Sequence, residues 1–249
     1  MAGDLLFDAR PIWTALRNAE QNGRVSSGSA DRMFQKFGAT ALHLGTRHHI
    51  MEQAIKELKC SLVEIYNCVP DPWDVNNIDG YTVVGGTDCE RARDRVLLAI
   101  DAFLFEFRAY LDLLASFVYG ILATLGKGPS EKETLSSGTV RIMSKKGKLS
   151  SYTFLLYACD RFSISTEWYE FLCNHRNFFT HEGAPYCAIE ALQVRPPEFD
   201  LIVMKANIHD FQNADPSMYF RVSEFQQVIK MVRILSACLQ QSIVDLVDK

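Results

Sequence analysis

The chain has 249 residues, 48% of them apolar and 22% charged, with a formal net charge of −4 at pH 7. That length and apolar content support a buried core in one domain, or one domain with an appendage, and exclude a disordered chain. The negative balance excludes a surface that coats nucleic acid uniformly, while leaving room for a local basic groove. Seven cysteines are scattered without a C-x-x-C spacing and several sit in apolar runs, so reduced core thiols and a cytoplasmic location are expected. The start, MAGDLLFDARPIW, lacks the basic opening and apolar run of a signal peptide.

In chain order, Asp8 to Gln21 reads as a first helix, with Asp8 as cap and Pro11 tolerated in the first turn. A polar loop follows at Asn22 to Ala30. From Asp31 a helical pattern resumes, weakened by Gly38 and Gly45, and it strengthens from His48 to Cys68 before Pro70 and Pro72 end it. Arg47, His48, His49 and Glu52 hold fragments of a metal-ligand pattern without a matching second set, so no metal and no cofactor is assigned. Trp73 to Asp88 reads as a surface excursion, with Tyr81 to Val84 as a short strand.

Glu90 to Gly126 is the longest helical stretch and is apolar on nearly every side, which predicts a place inside a bundle or in a subunit interface. Asp101, Glu106, Arg108 and Asp112 interrupt it, so it is no membrane span, and these charges need partners such as Arg108 with Asp112. The following segment carries Arg141, Lys145, Lys146 and Lys148, the best local candidates for guiding an RNA backbone. A short helix at Tyr152 to Phe162 leads to a further helix starting at Ser165 or Thr166 and stopping at Gly183. Tyr186 to Val194 and Asp200 to Lys205 read as a small β-hairpin, and Val222 to Val247 as a closing amphipathic helix.

The helix ending at Gly183 carries the chemistry. At about 100° per residue, Trp168, Phe171, Leu172, His175, Phe178 and Phe179 fall on one buried arc. Arg176, Asn177, Thr180 and His181 fall on another, an arrangement able to hold a phosphate and move a proton. Read alone, these four also fit a solvated helix face, with Arg176 pairing Glu170 and His181 closing the last turn.

Arg176-Asn177-Phe178-Phe179-Thr180-His181 resembles R-N-x-x-x-H, the signature of the HEPN (higher eukaryote and prokaryote nucleotide-binding) superfamily. The resemblance covers the motif helix. It implies a mainly α, HEPN-like bundle spanning 1–249 as a single domain, with 1–47 as an N-terminal extension and 186–249 as hairpin plus closing helix. It also implies a homodimeric, metal-independent endoribonuclease, of a kind found among toxins and stress or phage-defence effectors, with RNA as substrate and an antitoxin protein as a further partner. Arg176 would then stabilise the phosphate, His181 transfer protons, Asn177 position, and Thr180 touch RNA. The alternative within the family is a non-catalytic module that binds RNA, a nucleotide or a protein. The chain departs from toxins silenced by modification of a tyrosine two residues after the histidine, because Gly183 stands there.

Overall fold

A computed structural model describes residues 6–68, 81–83, 87–125, 151–181, 186–190, 201–204 and 219–248. The protein is mainly α. Six helices are described: α1 (Arg10–Gln21), α2 (Ser29–Cys68), α3 (Thr87–Thr124), α4 (Ser151–Arg161), α5 (Glu167–His181) and α6 (Val222–Asp248). None is long and apolar enough to cross a membrane, among the described residues.

Two compact units are built from interleaved stretches of chain. The first comprises Met1–His49, Glu106–Trp168 and Ile229–Lys249, and the second Ile50–Phe105 and Tyr169–Val228.

In the first unit, α1 begins where the Arg10 amide donates to Asp8 Oδ1 at 2.9 Å and Pro11 occupies the first turn. Ile12, Ala15, Leu16 and Ala19 are buried at the spacing of one helical face. The helix ends in a left-handed Gly23 (φ 70°), whose amide donates to Glu20 O at 3.0 Å while that of Arg24 donates to Ala19 O at 2.8 Å. The Glu20 carboxylate then accepts the amides of Gly28 and Ala30 (the latter at 3.2 Å), closing the N-terminus of α2. These two amides, Gly28 first, hold the Glu20 carboxyl below its ordinary range.

Helix α2 runs through Gly38 and Gly45 without a break. The two glycines cost about 1 kcal/mol each relative to alanine, and the burial of Met33, Phe37, Leu44, His48 and Met51 on one face outweighs that. The centre of the first unit is Phe117, met by the rings of Phe7 at 5.4 Å, Trp13 at 5.9 Å and Phe37 at 6.3 Å, all edge-on. Phe37 lies so close over Gly120 that a Cβ there would overlap its ring. Arg47 donates to both oxygens of the largely buried Glu106, at 2.6 and 2.8 Å. Tyr110 and Ser236 share a buried hydrogen bond of 3.3 Å, and burial raises the Tyr110 hydroxyl above its usual range. At the other edge, the Asp8 amide donates to Gln240 Oε1 at 3.3 Å and Arg24 donates to the backbone oxygen of Asp248, so α1 is tied to the end of α6.

Within the protomer, α3 presents an exposed stripe. Asp94, Leu98, Asp101 and Phe105 are exposed, with Leu98 at 69% and Phe105 at 62%. Its charges are met as expected of paired groups: Glu106 by Arg47, and Asp112 by Arg108 at 3.2 Å.

The second unit contains a four-stranded antiparallel sheet of β1 (Tyr81–Val83), β2 (Tyr186–Glu190), β3 (Leu201–Met204) and β4 (Tyr219–Arg221), in that spatial order. Ala188 stands between Val83 and Ile202, and Val203 pairs with Phe220. β1, before α3 and within the short strand expected at Tyr81 to Val84, and β4, leading into α6, form the two edges of the sheet. Phe225 of α6 gathers Phe103 at 4.9 Å and Phe171 at 5.4 Å.

Candidate functional site

Helix α5 is entered through a corner. After α4, Ser163 adopts φ 53°, with its amide donating to Asp160 O at 3.2 Å and that of Ile164 to Cys159 O at 2.9 Å. This is the same two-bond helix ending as at Gly23, built on a residue with a Cβ. The Ser165 hydroxyl then accepts the Glu167 amide at 3.3 Å in the first turn of α5. Cys159, beside the Trp168 indole, is buried, and that burial pushes its thiol up to about 11, an inert core group at neutral pH. Cys60, Cys159, Cys173 and Cys238 are free thiols.

The buried face of α5 is the one its periodicity predicts. Trp168 (3%), Leu172 (1%) and His175 (6%) are buried and Phe171 is half-buried. Trp168 meets Phe107 edge-on at 6.3 Å in the first unit, and in the second the His175 ring meets Phe171 at 4.3 Å. His175 is thus a packed residue of the helix's inner side, and the next residue, Arg176, is half-buried where the chain turns outward. Asn177 is exposed.

Thr180 and His181 belong to the last turn of α5 by backbone, and their side chains, with those of Phe178 and Phe179, lie outside the described residues. Arg176 and His181 are separated along the helix axis by roughly 7.5 Å and around it by about 140°. Asn177 and His181, four apart, are neighbours on the helix surface. Arg141, Lys145, Lys146 and Lys148 lie outside the described residues. Among the described residues, no group of three His, Cys, Asp or Glu side chains could hold a metal ion.

Sequence reasoning named the polar edge but not what supports it. Phe225 of α6, itself met by Phe103 of α3, packs on Phe171 and through it on the helix that carries Arg176. Apolar periodicity marks both as core residues, but no local signal says which helix they meet.

No family model, no curated protein and no solved structure matches the chain. The likeness to HEPN proteins therefore rests on the six residues from Arg176 to His181 and on the helix that presents them.

Proposed function

We propose that this chain is a HEPN-like protein that cleaves RNA without a metal, with Arg176, Asn177 and His181 as its reacting edge. The observation that carries this reading is the division of α5. Its inner side is packed through Trp168, Leu172 and His175, while half-buried Arg176 and exposed Asn177 begin a polar edge that runs to the helix end at His181.

Cleavage requires the ribose 2′-hydroxyl to lose a proton as its oxygen attacks phosphorus, and the leaving 5′-oxygen to gain one. A histidine performs either transfer near neutral pH, and an arginine stabilises the charge building on the phosphate oxygens. Asn177 orients His181 or the phosphate, and Thr180, with Arg141, Lys145, Lys146 and Lys148, contacts the RNA. The products are a 2′,3′-cyclic phosphate and a 5′-hydroxyl. One motif supplies one histidine, so a homodimer with two motifs across a two-fold axis completes the pair of proton-transfer groups. Such a protein acts in the cytoplasm as a toxin or a stress or phage-defence effector, held in check by an antitoxin protein.

The test incubates purified protein with labelled RNA in a chelator, beside His181→Ala and Arg176→Ala. Cleavage by the parent alone, with cyclic phosphate ends, is the expected result. Equal cleavage by all three, or cleavage only after a metal is added, rejects the mechanism. RNA binding without cleavage moves the chain to the non-catalytic branch of the same family.

A further inference from the structure

In the second unit, the outer side of α3 carries two large apolar side chains that nothing in the protomer covers: Leu98, 69% exposed, and Phe105, 62%. The opposite side of the same stretch is packed through Val96, Ala99, Ile100, Phe103 and Leu104, so the helix is anchored from behind. At about 100° per residue, Asp94, Leu98, Asp101 and Phe105 fall within an arc of roughly 60°. Their spacing of four, three and four residues is that of a coiled-coil seam, in which one helix lays its row of side chains into another's. The seam runs about 16 Å from Asp94 to Phe105.

Acid and apolar residues alternate along it. Asp94 is 65% exposed and pairs with Arg93 at 3.3 Å, but Arg93 also reaches Glu90 at 3.7 Å, so one cation serves two carboxylates. On the flank, Arg95 is engaged by Glu64 at 2.8 Å. Asp101, exposed between Leu98 and Phe105, forms no ion pair among the described residues. This pattern selects its occupant. An RNA backbone is repelled by the carboxylates. A second copy docked across a two-fold axis sets Asp101 against another carboxylate or against an apolar side chain, and both are costly. A helix with a large apolar residue on each side of a lysine or arginine satisfies Leu98, Asp101 and Phe105 together.

We propose that this seam of α3 docks a basic amphipathic helix of a different protein, its cation opposite Asp101 and its apolar residues on Leu98 and Phe105. So short a contact covers less than the ~1,200–2,000 Å² of a standard interface, so the association is transient and weakens as salt rises. The surface is independent of the nuclease reading.

Fluorescence anisotropy of a labelled helical peptide, titrated with the full chain, tests it. The probe is about 21 residues long, built of heptads with leucine at one seam position and lysine at the other, and its twin carries glutamate in place of lysine. The lysine peptide is expected to bind the parent about tenfold more tightly than the twin, or better. Asp101→Lys is expected to remove that preference. Leu98→Ser is expected to weaken binding of the lysine peptide by about tenfold, the loss of one apolar contact. An unchanged melting temperature shows that each variant is folded. Asp31→Lys, the same change of charge at an exposed position of the first unit, is expected to leave both affinities as they were. A parent that binds neither peptide or both alike overturns the proposal. So does an effect of Asp31→Lys equal to that of Asp101→Lys, or binding indifferent to Leu98→Ser.

Discussion

In the first unit, Phe7, Trp13 and Phe37 close on Phe117, far along the chain from the motif helix. In the second, Phe103 and Phe171 close on Phe225, and Phe171 also meets His175, the residue before Arg176. Both are edge-on aromatic clusters, and both central rings are at most 1% exposed. Among the described residues, it is the second that includes a ring of the motif helix, Phe171. The difference separates what keeps the protein folded from what keeps Arg176 in place, and four sets of variants sharpen or break it.

The largest effects belong to the cluster centres. Phe117→Ala and Phe225→Ala should each cost about 3–5 kcal/mol by chemical denaturation. Cleavage per folded molecule should survive the first and fall in the second. If both variants cut RNA equally well once corrected for the folded fraction, the second cluster does not position α5. Next, Arg47→Ala leaves the Glu106 carboxylate without the two bonds it accepts from Arg47 and should cost about 1.5–3 kcal/mol, with cleavage unaffected. Glu106→Gln should recover part of that loss, which a simple packing defect would not.

Smaller changes are expected at the two helix endings. Gly23→Ala places a Cβ on a left-handed residue and should lower stability by about 1 kcal/mol, whereas Ser163→Gly relieves one and should raise it by a similar amount. Opposite shifts in melting temperature check this, and shifts of the same sign refute the shared geometry. The smallest effect is at Glu20. Its carboxyl is held low in the folded state, so its contribution is present above the unfolded carboxylate value and is lost as pH falls through the folded one. Glu20→Gln should therefore flatten the acid side of the stability profile and leave the alkaline side unchanged.

Much of this was readable before any coordinates. The polar punctuation at Asp8, Pro11 and Ser165, and the periodicity of Trp168, Leu172 and His175, name helices and their inner faces through local rules. The charged pair Arg108 and Asp112 is one turn apart and follows from spacing alone. What escaped was set by distant partners. The glycines of α2 argue for a break that Phe37, seated on Gly120, overrides. The exposed stripe of α3 is invisible in its composition, because Leu98 and Phe105 look like core residues in the sequence. The Glu20 cap joins two helices across a loop, and no capping pattern in the sequence spans such a gap. At the candidate site, Arg176, Asn177 and the packed His175 follow from the helix wheel, whereas their backing by Phe225 depends on a helix that begins after the whole sheet.

The tie between α1 and the end of α6 has a consequence for how the chain is made. The first unit draws on three stretches far apart in sequence, and the Asp8 amide and Arg24 find acceptors at Gln240 and Asp248. During synthesis α1 has to stay undocked until the residues of α6 have emerged from the ribosome. Loss of the last turns of α6 would then leave the Asp8 amide and Arg24 without these acceptors, so truncation before Gln240 should be as damaging as deletion of α1.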